Sequence, residues 1–278
     1  MDQRALETAL SDLAIPIIRF YPSIGSTNTE ALQWAEQGAP DLALVIADEQ
    51  IAGRGRSGKR WFTPPGCALA FSLVLYIRQE EQSLLTRYSA LGALAVQQTI
   101  KNKYQLPALI KWPNDVLIKG GKTAGILVEA RWSDAQLTNL VLGVGINIAT
   151  ASTGGIVLDA SESPYPATSL ATHLSHPIDR LQVLHDCLAE LIYWRSRLGS
   201  DELLQTWESN LAYRGEWIRI SHSRKTQAET TALEIDSGNS SAEEVQIMSL
   251  EPDGALIVRT LSGKLMTIYD GVIRQKPI

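Results

Sequence analysis

Two short stretches constrain this chain more than any other feature: Leu42–Ala47 (LALVIA) and Cys67–Ile77 (CALAFSLVLYI) carry no charged residue. Compact runs of this kind form strands buried on both faces, so a sheet covered by other elements is expected around them. Even the longer run falls far short of the roughly 20 apolar residues that a membrane-spanning helix requires.

Helical spacing surrounds the two strands. Ser26–Gly38 (STNTEALQWAEQG) opens with a capping box of Thr27 and Glu30, sets Ala31, Leu32 and Ala35 on one face, and closes at Gly38. Leu84, Tyr88, Leu91, Ala95 and Ile100 predict a long helix over Ser83–Tyr104, ended near Pro107. Val116–Ile118, Ala124–Arg131 and Leu137–Ile148 read as strands, with Gly120-Gly121 as the tight turn between the first two. After a Ser/Thr/Gly/Pro-rich loop at Ala151–Pro166, helical spacing returns at Ile178, Leu181, Leu184, Leu188 and Ile192, and again over Asp201–Ala212. Beyond Tyr213 the pieces EWIRIS, EEVQIMSL, ALIVRTL and KLMTIYD alternate with turn residues. The 278 residues are therefore expected to divide into a large domain, 1–212, and a small all-β domain, 213–278.

Charge and cysteine usage narrow the setting. A formal net charge of -5 gives no basic field to attract a phosphate backbone, which argues against DNA as a partner. Cys67 and Cys187 lie far apart in apolar surroundings and read as reduced, buried thiols. The opening MDQRALETALSDLA lacks the basic start and apolar middle of a signal peptide, so a cytoplasmic protein with no membrane partner is expected.

Three strings carry chemistry. In Gly53–Trp61 (GRGRSGKRW) glycines alternate with cations, so main-chain N–H groups and Arg54, Arg56, Lys59 and Arg60 can wrap phosphate or carboxylate oxygens. A solvated basic loop is the plain alternative. Gly53, Gly58 and Lys59 match P-loop spacing, but Arg60 replaces the required hydroxyl and Pro64-Pro65 offers no following helix. Gly143–Asn147 (GVGIN) begins like a dinucleotide fingerprint without its third glycine, and reads equally well as relief of crowding at a strand end. Lys111–Glu129 (KWPNDVLIKGGKTAGILVE) sets Lys111, an Asn–Asp pair, Lys122 and a glutamate on consecutive strands and their turn, where their heads can converge. Taken singly, Asn114-Asp115 would be a turn and Lys122 a surface charge; together they resist that account. His173, His176, His185 and His222 lack the partners of a zinc set.

STN, GRGRSG, KWPND with K..GIL.E, and G.GIN, in this order from Ser26 to Ile148, resemble the biotin–protein ligases. The likeness continues weakly into the tail at EPDGALIV and DGV. It implies an α+β fold: a mixed β-sheet catalytic domain flanked by helices, of the class II synthetase-like biotin/lipoate ligase type, with a small C-terminal SH3-like β-barrel. It also implies biotin and ATP as substrates, Mg²⁺ with the ATP, and a lysine of a biotin carboxyl carrier domain as acceptor, the enzyme being a monomer or a homodimer.

By the same resemblance Ser26, Thr27, Asn28 and Gln50 hold the biotin ureido ring, whose two N–H donors and one carbonyl suit hydroxyl and carboxamide groups. Arg54, Gly55 and Arg56 belong to a closing loop that meets the carboxylate and α-phosphate, and Gly125 lies on the biotin side. Lys122 stands beside the acyl phosphate. Lys59, Trp61, Lys111, Asn114, Asp115 and Asn147 serve ATP. Trp61 forms a wall against the adenine or the thioether, or packs in the core. Arg56, Lys122 and Asp115 are the catalytic set, with Asp115 acting on Mg²⁺ or on the incoming lysine and no metal tightly bound. Ser57 stands where relatives often carry another arginine, and Gln227–Glu244 is a polar insertion. Only about 25 residues precede STN, which leaves no room for a helix-turn-helix and favours an enzyme over a repressor. A lipoate ligase of the same superfamily, or a non-enzymatic biotin-binding regulator, are the alternatives.

Overall fold

The computed structural model describes residues 1–133, 136–153, 166–221 and 242–275. They fall into two units, Met1–Ala212 and Tyr213–Ile278. In the first unit the strands are β1 (Ile18–Tyr21), β2 (Leu44–Ala47), β3 (Ala68–Tyr76), β4 (Ala108–Lys111), β5 (Asp115–Ile118), β6 (Gly121–Ser133) and β7 (Gln136–Asn147). They form one mixed sheet in the order β1-β2-β3-β7-β6-β5-β4, with β1 and β2 parallel and the other neighbours antiparallel.

The uncharged runs become β2 and β3, buried throughout except at Tyr76, the last residue of β3. Such strands need cover on both faces, and helices supply it: α1 (Gln3–Ala9), α2 (Thr27–Glu36), α3 (Leu85–Tyr104), α4 (Arg180–Arg195) and α5 (Asp201–Ser209). Neighbouring residues of a strand point to opposite faces. On β7, a Cβ at Gly143 would run into Asn28 of α2, while Leu142 approaches Gly92 of α3, so the two helices cover opposite faces. A Cβ at Gly92 would come within 2.9 Å of Ile126, and the glycine lets α3 lie close on the sheet.

Several local expectations change. The capping box at Thr27 and Glu30 does not form: Ser26 is the residue before the helix, Thr27 lies inside it, and its hydroxyl donates to Gln50. Glu30 instead accepts from Arg19 and Tyr21. The turn between β5 and β6 is centred on Lys119 (φ 48) and Gly120 (φ 79) rather than Gly120-Gly121, both in the left-handed region that two-residue hairpins require. A 3₁₀ turn at Gln79–Leu84 precedes α3, and Gln105 (φ 54) terminates it before Pro107 is reached. Asp179 and Ser200 cap α4 and α5 by accepting from Leu181 and Leu203. α1, β1 and β4 were not legible beforehand. β1 lies at the sheet edge, where the Gln3 carboxamide of α1 pairs with Ile18 O and Phe20 N and occupies the open backbone groups.

The second unit carries β8 (Trp217–Ser221), β9 (Glu243–Leu250), β10 (Leu256–Thr260), β11 (Leu265–Ile268) and β12 (Val272–Gln275). They form an antiparallel sheet in the order β11-β10-β9-β8-β12. The expected barrel is thus an open sheet among the described residues, with β11 and β12 unjoined. His222 and the insertion from Gln227 to residue 241 lie outside the described residues; Glu243 and Glu244 open β9. No helix among the described residues is long and apolar enough to cross a membrane.

Candidate active site

The start of α2, the loop after β2, and the glycine-bearing segments of β6 and β7 meet at one pocket. Ser26, Thr27, Asn28 and Gln50 line it together with Arg54, Gly55, Arg56, Trp61, Asn114 and Lys122, over a floor of Gly125–Leu127 and Gly143–Gly145. The polar residues form two hydrogen-bonded groups.

The first group is neutral and ordered. Gln50 Oε1 accepts from the Thr27 main-chain N–H at 2.9 Å and from its hydroxyl at 3.1 Å, while Gln50 Nε2 donates to Thr63 Oγ1 at 3.1 Å. Asn28 Nδ2 faces two pure acceptors, Leu127 O at 3.3 Å and Glu129 Oε2 at 2.9 Å, which turns Oδ1 towards Ser72 Oγ at 2.6 Å. Oδ1 can only accept, so the single Ser72 proton goes there. Thr27 Oγ1, 2.8 Å from Ser72 Oγ, then has its own proton engaged by Gln50 or Ser72. Its lone pairs are then available to a ligand N–H. Gly143 makes this order possible, because a Cβ there would stand 2.0 Å from Asn28 Oδ1.

The second group is cationic. Gly53–Trp61 folds as a small hairpin, with Arg54 bridging Arg60, Gly55 N–H donating to Lys59 O at 2.7 Å, and Ser57 (φ 56) and Gly58 (φ 74) turning the tip. Gly53 is required by contact, since a Cβ would lie 2.3 Å from Trp61 O. Arg54 Nη2 reaches Glu129 Oε2 at 2.7 Å, and Arg56 Nη1 donates to Asn114 Oδ1 at 3.0 Å. Trp61 lays its indole on the floor: ideal Cβ atoms would stand 2.3 Å from its ring at Gly145 and 3.2 Å at Gly125. Its buried Nε1–H has no hydrogen-bond partner among the described residues.

Lys122 Nζ lies 5.5 Å from the Trp61 ring centre and 2.7 Å from Asp115 Oδ1, while Lys111 Nζ donates to Asp115 Oδ2 at 2.9 Å. Burial alone would raise the Asp115 pKa, but the ammonium groups of Lys122 and Lys111 outweigh it and hold the carboxyl far below the usual range. A negative group thus anchors the pocket lysine. The Lys122 backbone is fixed as firmly: its N–H donates to Pro166 O, and its carbonyl accepts from Thr168 N–H and, at 3.4 Å, from Asn147 Nδ2.

Of the residues named from sequence, Lys59, Lys111, Asp115 and Asn147 do not line the pocket. Lys59 is exposed on the outer hairpin. Lys111 and Asp115 lie buried behind Lys122, and the Asn147 amide is spent on the Lys122 and Thr168 carbonyls. The donor set does not fit a protein-held Mg²⁺ either. Asp115 is clamped between two lysines, Glu129 is paired with Arg54, and no group of three His, Cys, Asp or Glu among the described residues could hold a metal. Ser72 and Thr63 belong to the site and were not assigned to it from sequence, whereas Glu129, Gly143 and Gly145 lie in strings that the sequence singled out without giving them a role. The signal for Ser72 was available, a lone hydroxyl inside an uncharged apolar run. Cys67 is partly exposed rather than buried; Cys187 is buried, which pushes its thiol pKa up.

The description "Biotin/lipoate A/B protein ligase family" matches residues 20–147, the span that holds every pocket residue. A biotin–[acetyl-CoA-carboxylase] ligase of Paracoccus denitrificans is 35% identical over 199 residues, covering 69% of this chain and 80% of that one. The chain belongs to the biotin/lipoate A/B protein ligase family. Among further members, the bifunctional ligase/repressor BirA of Bacillus spizizenii is 36% identical over 167 residues, 59% of this chain and 49% of that protein. The fold agrees as well: the biotin protein ligase from Aquifex aeolicus in complex with biotin and ATP gives a TM-score of 0.73 at 22% identity, over 94% of this chain and all of that one. The mixed sheet with flanking helices expected from the motifs is therefore the family fold.

Proposed function

We propose that the chain is a biotin–protein ligase, in which residues 1–212 activate biotin with ATP and pass it to a lysine of a carboxylase's biotin-carrier domain. The observation that carries this reading is one pocket holding both an ordered neutral network and three cations, Arg54, Arg56 and Lys122. A ureido ring brings two N–H donors and a carbonyl, and the free Thr27 lone pair and the Ser26 hydroxyl can meet them. The dithiolane ring of lipoate brings no N–H, which favours biotin within the family.

Two bond exchanges follow. A biotin carboxylate oxygen attacks the ATP α-phosphorus, the bond to the β-phosphate breaks, and pyrophosphate leaves. The neutral amine of the carrier lysine then attacks the acyl carbon, its C–O bond breaks, AMP leaves and the amine gives up a proton. In the first step two anions must approach, so fixed positive charge at the reacting atoms lowers the barrier. We assign that work to Lys122, held in place by Asp115, and to Arg56, held by Asn114. Arg54 sits on the same glycine-bearing loop, which is suited to closing over the adenylate and excluding water. Trp61 walls the adenine or the thioether. Mg²⁺ arrives with the nucleotide. Lys111 and Asn147 act from behind, on Asp115 and on the Lys122 backbone. The unpaired cysteines accord with a cytoplasmic enzyme. One chain supplies every residue named, whether the enzyme is a monomer or a homodimer.

The test is pyrophosphate release followed by transfer to a carrier-domain lysine, with biotin and lipoate compared. Release with biotin alone is expected. Equal release with lipoate, or none with either, refutes the assignment.

A further inference from the structure

Glu129 is an acid inside a site whose reactants are anions, and its partners show why it is there. One of its oxygens, Oε2, receives both Arg54 Nη2 at 2.7 Å and Asn28 Nδ2 at 2.9 Å. The carboxylate thereby ties the cationic loop to the helix start that orders the neutral network. The pair is not locked away: the Arg54 side chain is 42% exposed and that of Glu129 25%. An ion pair in that setting is screened and contributes little, so exchanging it for another anion costs little. The Lys122–Asp115 pair, with Asp115 only 11% exposed, is not exchangeable in this sense.

We infer that Glu129 is a positioning residue that stands in for the substrate's carboxylate, holding Arg54 beside the pocket until an anionic reactant takes the guanidinium over. An arginine on a glycine-bearing loop would otherwise be ordered only at the moment of binding, and ordering a long side chain then weakens affinity. A carboxylate bonded to two pocket-lining residues, Arg54 and Asn28, presents the same planar acceptor that the acyl group will offer. The arrangement keeps the fork poised, while making every anionic ligand compete with Glu129. A neutral ligand of the same shape escapes that competition. This inference rests on the biotin reading above.

Glu129→Gln separates the two duties, since the carboxamide oxygen can still accept from Asn28 but carries no charge. Binding of biotin and of biotin methyl ester is measured by calorimetry on the full chain, wild type and variant. The ratio of ester Kd to biotin Kd should rise about two- to fivefold in the variant, the range of a screened ion pair. The rise should vanish in an Arg54→Gln background and shrink at high salt. An unchanged ratio, or equal weakening of both ligands, overturns the inference and leaves Glu129 a structural acceptor for Asn28. If the wild type binds neither ligand, the biotin reading itself fails. Should Glu129→Gln not fold, Glu129→Asp draws the charge back from the guanidinium and must move the ratio the same way; no movement there also overturns the inference.

Discussion

Gly143→Ala is the sharpest test of how the pocket is built. The new Cβ would lie 2.0 Å from Asn28 Oδ1, 2.7 Å from Cγ and 2.9 Å from Nδ2, all inside the 3.0 Å that real Cβ contacts respect. Asn28 is 4% exposed and hydrogen-bonded to Ser72, Leu127 O and Glu129, so it cannot retreat without breaking those bonds. Overpacking of this kind costs about 1–3 kcal/mol. Each buried hydrogen bond lost adds about 0.5–1.5 kcal/mol. A total destabilisation of about 2–4 kcal/mol follows, together with loss of biotin binding, because the proton order at Ser72 and Thr27 is lost with Asn28. Urea unfolding gives the stability and calorimetry the binding. The decisive comparison is Gly143→Ala placed on Asn28→Ala, where the clashing atoms are gone. There the alanine should cost less than about 1 kcal/mol, a coupling of the size seen for residues in contact. Additive costs for the two substitutions would refute the account, since they would mean that Gly143 is not a glycine for the sake of Asn28.

Lys122→Ala and Arg56→Ala should each lower biotin-dependent pyrophosphate release by at least about 10²-fold, the scale of one preorganised charge contact; retention of most activity in either would remove it from the catalytic set. Asp115→Asn leaves Lys111 and Lys122 close together without their carboxylate and should destabilise by about 3–5 kcal/mol at neutral pH. Because the Asp115 pKa is depressed, its contribution is present above the unfolded value near about 3.9 and fades as pH falls through the folded value. The gap between wild type and variant should therefore narrow only under strong acid, which denaturant titration against pH will read. His185 sits between Asp12 and Asp186, with Lys103 and Gln182 also on Asp186. The Asp12 hydrogen bond, together with that to Asp186, outweighs burial and raises its pKa. Its stabilisation is complete below the unfolded value near about 6.5 and lost as pH rises through the folded one, so His185→Gln should lower Tm more at pH ~5.5 than at pH ~8.5. A pH-independent difference would show that the imidazolium contributes nothing.

Long, strongly patterned elements were legible because burial writes itself into the spacing of apolar residues. β3 and α3 are examples, with 9 and 20 residues. β1 and β4 have four residues each, and β1 is only partly buried throughout. They are strands because β2 and β5 offer them backbone partners, a fact absent from their own residues. The helix start at Thr27 shows the same limit from the other side. A local rule assigned its hydroxyl to a capping box, and a glutamine from a distant bridge took the hydrogen bond instead. The charge-bearing half of the site was visible because the alternating glycines and cations, which alone also read as a solvated basic loop, occur together with the Lys111–Glu129 string. Even so, the motif could not separate Lys122, which faces the pocket, from Lys111 and Asp115, which hold it from behind.

The neutral half was harder to see for a physical reason. On the proposed reading, recognition of a ureido group depends less on which hydroxyls are present than on where their protons point, and that direction is set by the most constrained partner in the chain. Here the partner is Asn28, whose amide is forced by two pure acceptors, Leu127 O and Glu129 Oε2. Asn28 in turn fixes Ser72, and Gln50 and Ser72 together draw the Thr27 proton away from the cavity. A serine in an apolar strand and two glycines facing it look like filler in a sequence. Their meaning appears only when β3, β7 and α2 come together. Selectivity for an N–H-bearing ring is then a property of the packed sheet as much as of the residues that touch the ligand. Ser72→Ala should accordingly weaken biotin binding without itself lining the pocket, because buried Asn28 Oδ1 loses the hydroxyl that donates to it and the carboxamide beside Thr27 is no longer held on that side.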